Sequence, residues 1–302
     1  MTSNSRKTLD KLFTGSHVHI KHRDAVMEKI QRLVSDGTSC LQVISDFDMT
    51  ISKYKHLNKR CPSSHTILEM NSLIPNDVKT QLTNLKEKYH AIEIDPNLTQ
   101  EEKIPHMIEW WTKAHKLISS SEIKKSHLQD NVSKSEAMLR DGSEHMIDTL
   151  HKHNVPLLIF SAGVGDVLEE VIRQKSNFHP NIKIVSNFME FDETGTLIGF
   201  KGDLIHTFNK NESALEDDDY FENVKHRHNI IMMGDMLGDL TMANGVPKMN
   251  VCLKIGFLNA KFDELLEQFM DAWDIVLVDD QTMDMANAIL DTIIEVGEQV
   301  AA

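Results

Sequence analysis

Short, continuously apolar runs recur along the chain at Leu41–Ser45 (LQVIS), Val155–Phe160 (VPLLIF), Asn229–Met233 (NIIMM) and Ile275–Val278 (IVLV). Runs of that length with no polar alternation are the pattern of strands buried on both faces. Residues 23–36 instead place Val26, Ile30 and Val34 four apart, which predicts an amphipathic helix, and another is expected from about Thr282 to Val296. Buried strands separated by helical stretches predict βαβ units and a mostly parallel sheet, an α/β fold with a Rossmann-like core. Residues 187–208 differ: FMEF and LIGFKG flank Asp192-Glu193-Thr194-Gly195, the pattern of a hairpin with a glycine turn.

A long stretch rich in helix formers lies between the first two runs, including Asp77–Tyr89, Glu101–Leu117 and Ser121–Arg140. It exceeds a simple crossover and predicts a helical lobe inserted after the first strand. The expected division is residues 1–55 and 141–302 for the core and 56–140 for an inserted helical cap.

Composition narrows the function classes. Thirty-two basic against 46 acidic residues give a formal charge of −14 over 302 residues, which argues against a nucleic-acid polymer or an anionic membrane as partner. A local positive pocket for a small phosphate remains compatible with it. Cys40, Cys61 and Cys252 are odd in number and far apart, so a reducing compartment is expected. Met1–Asp24 lacks the apolar stretch of a secretory leader, and no run reaches the roughly 18 apolar residues of a membrane span. The expectation is a soluble cytoplasmic protein. His17, His19 and His22 lie in a basic stretch without a matching ligand pattern and read as surface, as does the charge run Glu216–Asp219.

Chemistry-bearing residues follow the apolar runs directly. Asp46-Phe47-Asp48-Met49-Thr50 leaves the first; two carboxylates two residues apart on such a turn can face one ligand, one attacking while the other exchanges protons. The same pair also reads as a polar strand end with a helix-capping aspartate. Ser161-Ala162-Gly163 leaves the second run and opens a helical pattern, which suits a phosphate or marks a plain strand-to-helix turn. Gly234-Asp235-Met236-Leu237-Gly238-Asp239 leaves the third; its carboxylates could complete an oxygen cage for Mg²⁺, or form a turn. Lys210 falls between the last two, where it could neutralise phosphate charge or be an ordinary solvated lysine.

The order of these pieces resembles the four motifs of the haloacid dehalogenase-like phosphatases, carried here by Asp46 and Asp48, Ser161, Lys210, and Asp235 with Asp239. The segments QVISDFDMT, KRCPSSH, AIEIDP, EWWTKAH, IFSAGVGDVLEEVIRQ, GFKGDLIHTFNKN and LKIGFLN extend the resemblance along nearly the whole chain, to the cytosolic type III 5′-nucleotidases. The resemblance implies an aspartyl-phosphate on Asp46, with Asp48 as proton donor and then base. It implies Mg²⁺ held by Asp46, the Asp48 carbonyl and Asp235, with Asp239 supporting. Ser161, the Ala162 N–H and Lys210 would hold the phosphate. The family has a pyrimidine branch and a branch that also takes 7-methylguanosine monophosphate. Glu93 maps onto a base-recognising position. Trp111 and Ala114 stand where pyrimidine-preferring members carry tyrosine and serine. Tryptophan offers the strongest π face for a cationic methylated base, although both Trp110 and Trp111 also read as packing residues of the insertion. His65 stands where relatives that bind the methylated base show another aromatic, and Met236 replaces a small polar residue.

The implied activity is hydrolysis of 7-methylguanosine, cytidine and uridine 5′-monophosphates by a monomer. The alternatives are a pyrimidine-specific nucleotidase, a phosphotransferase using the same intermediate, and a non-catalytic phosphate-binding scaffold.

Overall fold

The computed structural model describes residues 3–95, 97–211, 220 and 224–301. Its strands in chain order are β1 (Val18–His19), β2 (Leu41–Ser45), β3 (Lys55–His56), β4 (Lys59–Arg60), β5 (Leu157–Val164), β6 (Ile182–Asn187), β7 (Met189–Phe191), β8 (Leu197–Phe200), β9 (Asn229–Gly234), β10 (Val251–Leu258) and β11 (Ile275–Val278). Seven of them form one sheet in the order β1-β11-β10-β9-β2-β5-β6. All neighbours are parallel except β1, which runs antiparallel to β11.

Burial explains why these segments are strands. Every residue of β2 and β9 is buried, because helices cover both faces of the sheet and leave no solvent side for polar alternation. Arg23–Asp36 packs Val26, Ile30, Leu33 and Val34 into that core, and Asp284–Ala301 lies beside it. The hairpin forms between β7 and β8 around Gly195, whose φ is 75°, a conformation glycine adopts without strain.

The stretch between β2 and β5 contributes no strand to the central sheet among the described residues. It holds helices Ser64–Glu69, Asn76–Glu93, Gln100–Ser119 and Leu128–Lys134. Thr99 starts the third with a reciprocal capping box to Glu102, worth about 1 kcal/mol. The chain enters and leaves this segment side by side: Lys53 N–H donates to Met138 O at 2.8 Å and Arg140 N–H to Ile51 O at 2.9 Å.

Some expectations need correction. Ser121–Arg140 is not one helix; it gives the short turn Lys125–His127 and helix Leu128–Lys134, then an extended exit. Pairing with residues 51–53 outweighs local propensity there. β5 runs on through Ser161, Ala162 and Gly163 to Val164, with its register on β6 shifting between Phe160 and Val164. β10 was not signalled by an unbroken apolar run, because Lys254 and Gly256 interrupt it. Glu216–Asp219 lies outside the described residues. No helix among the described residues is long and apolar enough to cross a membrane.

Candidate active site

Three adjacent strands bring the site together. β2 lies between β9 and β5, so Asp46, Ser161 and Asp235 emerge at one end of the sheet, where parallel α/β sheets hold their ligands. Asp46 N–H donates to Met233 O at 3.0 Å, which fixes the first residue beyond β2 against β9.

Lys210 Nζ reaches Asp46 Oδ1 at 2.5 Å and Asp239 Oδ1 at 2.7 Å, and all three side chains are buried. The second Asp239 oxygen accepts the Asp235 and Met236 N–H groups at 3.1 and 3.0 Å. Asp239 is thereby committed on both oxygens, and Met236 enters this arrangement through its backbone. Asp46, Asp235 and Asp239 each place a carboxylate oxygen within 4.8 Å of the others.

Three carboxylates face one ammonium, and the electrostatics follow from that imbalance. Burial pushes Asp46 up to about 7; Lys210 opposes the shift while Asp239 and Asp48 add to it. Asp235 is raised well above the ordinary carboxylate range by burial, then by Asp46 and Asp239. Burial opposes the charge on Lys210, but Asp239 and Asp46 outweigh it and raise the ammonium pKa. Buried oxygen donors carrying excess negative charge suit a hard divalent cation such as Mg²⁺. The donor set fits.

Asp48 is held separately. Ser64, at the start of Ser64–Glu69, gives its N–H to Asp48 Oδ1 at 2.9 Å and its hydroxyl to Oδ2 at 2.6 Å. Ser64 Oγ also accepts the Val164 N–H at 3.0 Å. One hydroxyl therefore ties the second carboxylate to the end of β5. Burial raises the Asp48 carboxyl, and the two Ser64 bonds oppose that rise. Glycine is required at 163, since a Cβ there would stand 2.2 Å from Ser64 Oγ and 2.8 Å from Asp48 Oδ2. Ser161 Oγ is buried and accepts the Gly163 N–H at 3.1 Å.

Behind the loop lies Arg140, which is 1% exposed. Its guanidinium donates to Thr50 O at 2.6 Å, Met49 O at 2.5 Å, Asn259 Oδ1 at 2.9 Å and the Asp280 carbonyl. Met49 has φ 65°, a strained value for a side-chain-bearing residue, and its carbonyl is also bonded by Asn259 Nδ2 at 3.0 Å. Ser64, Arg140 and Asn259 were not predicted. A serine pair before a helix signals a cap, but nothing local points Ser64 at a carboxylate sixteen residues earlier in the chain.

A cavity of about 470 Å³ joins these groups to the inserted segment. Asp46, Asp48, Ser161, Ala162, Lys210 and Asp235 line it, as do His65, Glu93 and Trp111. Glu93 Oε1 accepts the Thr207 hydroxyl at 2.6 Å, and Oε2 lies 3.2 Å from His90 Nδ1. Trp111 stacks on Trp110 at 4.4 Å and meets the His65 ring at 4.2 Å, with interplanar angles of 12° and 31°. Trp110 is buried and stacks on Tyr89 at 6.1 Å, a packing residue. Burial and neighbouring His115 hold the His65 imidazole well below its usual range, so it is neutral.

A family profile described as "Pyrimidine 5'-nucleotidase (UMPH-1)" matches residues 49–294. The chain is 51% identical to the human 7-methylguanosine phosphate-specific 5'-nucleotidase over 275 residues, 91% of this chain and 92% of that one. It is 40% identical to the enzyme of the same name from Drosophila melanogaster, across 93% and 88% of the two chains. A crystal structure of cytosolic 5'-nucleotidase IIIB bound to cytidine superposes with a TM-score of 0.88 at 39% identity, covering 97% of this chain and 98% of that one. A HAD family hydrolase from Salmonella enterica serovar Typhi shares the fold at TM-score 0.54 and 14% identity, covering 85% and 73% of the two chains.

Proposed function

Because this chain belongs to the pyrimidine 5'-nucleotidase family and is a phosphoric monoester hydrolase, we propose that it cleaves 7-methylguanosine 5′-monophosphate, with cytidine and uridine 5′-monophosphates as further substrates. One observation carries this: Asp46, Asp48, Ser161, Lys210 and Asp235 line the same cavity as Glu93 and Trp111. A phosphate and a base thus have separate, connected places.

Asp46 attacks phosphorus in line and takes the phosphoryl group as an aspartyl-phosphate. Asp48 protonates the departing 5′-oxygen, and then accepts a proton from the water that hydrolyses the intermediate. Ser64 keeps Asp48 in place for both transfers. Ser161, the Ala162 N–H and Lys210 hold the phosphate oxygens where negative charge accumulates. Mg²⁺ would be held by Asp46 and Asp235, with the Asp48 carbonyl, and would screen repulsion between nucleophile and phosphate. Asp239, committed to Lys210 and two peptide N–H groups, supports rather than ligates.

Residues 56–140 act as the cap. Glu93 accepts hydrogen bonds from an amino or imino group of the base, and the Trp111–His65 stack receives its ring. A positively charged methylated guanine gains most from a carboxylate and an indole together. We place the protein in the cytosol as a monomer.

Phosphate release from 7-methylguanosine, cytidine, uridine, guanosine and adenosine 5′-monophosphates, with Mg²⁺ and with EDTA, tests the proposal. Mg²⁺-dependent release led by the methylated nucleotide is expected. Release led by the pyrimidines would favour the second reading, a pyrimidine nucleotidase, which the cytidine-bound relative supports. No release from any of them would refute both.

A further inference from the structure

The loop that delivers Lys210 to Asp46 also touches the inserted segment. Thr207, three residues earlier, gives its hydroxyl to Glu93 across 114 residues of sequence at 2.6 Å. Gln100 Nε2 reaches Phe208 O at 3.4 Å, and the Lys103 ammonium lies 6.0 Å from the Phe208 ring centre. Thr207 is 8% exposed, and Gly238 packs against it so closely that a Cβ there would stand 2.4 Å from Thr207 O. One short loop is therefore in register with both the acidic cluster and the base-facing carboxylate.

Glu93 is a buried-edge carboxylate with both oxygens engaged, by Thr207 and by His90. Trp111 stacks on Trp110 and meets the His65 ring at a tilt. An incoming base thus meets a pocket whose carboxylate acceptor is already taken by the protein's own side chains.

We propose that Thr207 is a specificity-determining residue: its hydroxyl holds Glu93 in the base-free enzyme and yields it to N–H donors on the base, so recognition is an exchange of hydrogen bonds. This rests on the reading of Glu93 as the base acceptor. A base with a donor edge replaces the Thr207 bond with a better one and seats itself. A base presenting acceptors at that position leaves the Thr207–Glu93 bond intact and is shut out. The selecting element is the competition, since a carboxylate already satisfied by a hydroxyl gains little from a weak donor.

The test compares wild type with Thr207→Val, which keeps the shape and removes the hydroxyl. The readouts are kcat and KM for cytidine and 7-methylguanosine 5′-monophosphates, and the inhibition constant of ribose 5-phosphate, which lacks a base. Removing the competitor lowers KM for both nucleotides by up to about tenfold, while kcat and ribose 5-phosphate inhibition stay at wild-type values and Thr207→Ser restores the original KM. If Thr207→Val is poorly folded, Thr207→Ala reads the same quantities. A wild-type nucleotide KM, or a rise in KM matched by weaker ribose 5-phosphate binding, overturns the exchange and leaves Thr207 as a brace for the Lys210 loop. Glu93→Gln separates the premise: if it leaves the nucleotide-to-ribose-phosphate ratio unchanged, the Glu93 reading fails and the exchange with it. If it collapses that ratio while Thr207→Val leaves nucleotide KM untouched, only the exchange fails.

Discussion

Ser64 makes a demanding test of how the second carboxylate is controlled. Ser64→Ala removes the 2.6 Å hydroxyl bond to Asp48 Oδ2 and leaves the Val164 N–H, 3.0 Å from that hydroxyl, without its acceptor. The 2.9 Å bond from Ser64 N–H to Asp48 Oδ1 survives, so the carboxylate loosens without being released. A hydrogen bond to a charged group is worth about 1.5–3 kcal/mol. If Asp48 needs that positioning during both proton transfers, kcat/KM falls by roughly ten- to a hundredfold. The sign of the pH effect follows from the bonding. Ser64 favours the ionised carboxylate against the burial that raises its pKa. Losing the hydroxyl moves the Asp48 pKa further up, the acid form survives to higher pH, and the alkaline limb of kcat/KM shifts upward. Phosphate release measured from pH 5 to 9 on both proteins reads both effects. A profile superimposable on wild type, with kcat/KM within about twofold, would refute the reasoning and make Ser64 a helix-start residue only.

Other expectations are as direct. Asp46→Asn removes the proposed nucleophile, so phosphate release should drop below detection while circular dichroism stays native; residual substantial turnover would exclude a covalent intermediate on Asp46. Arg140→Met strips donors from the Thr50, Met49 and Asp280 carbonyls and from Asn259, and should cost about 3 kcal/mol or more in urea unfolding; a loss under about 1 kcal/mol would deny it that role. Metal-free protein should lose stability as pH rises from about 4 to 7. Asp46 titrates at 3.8 in its unperturbed state and about 7 when folded, so the folded chain binds the extra proton across that window. Added Mg²⁺ should raise the melting temperature most above pH 7, where the proton has left; a metal effect independent of pH would contradict this.

Much of the core was legible because parallel strands buried on both faces cannot hide their composition. β2 and β11 match their apolar runs at both ends, and Arg23–Asp36 matches its helical spacing. The placement of Asp46 and Asp235 was legible for a related reason: each follows directly on a buried strand. What escaped depends on distance through space. Ser64, Arg140 and Thr207 are ordinary residues until the fold brings them to Asp48, Met49 and Glu93. The exit of the insertion escaped because its extended form comes from pairing with residues 51–53, and no helix propensity records that.

The paired crossing at residues 51–53 and 138–140 has a wider consequence. Everything between is covalently joined at that one crossing, and it returns to the core through Ser64 to Asp48 and through residues 123–125 to residues 195–197. A segment of another length or architecture grafted there would keep β2, β5 and β9, but would have to supply again the two bonds that Ser64 gives Asp48. Such a joint would let a lineage exchange the inserted segment while keeping the acids that follow the strands, with Arg140, which grips the loop beyond Asp48 from the last rung, and Ser64 as the positions any graft has to keep.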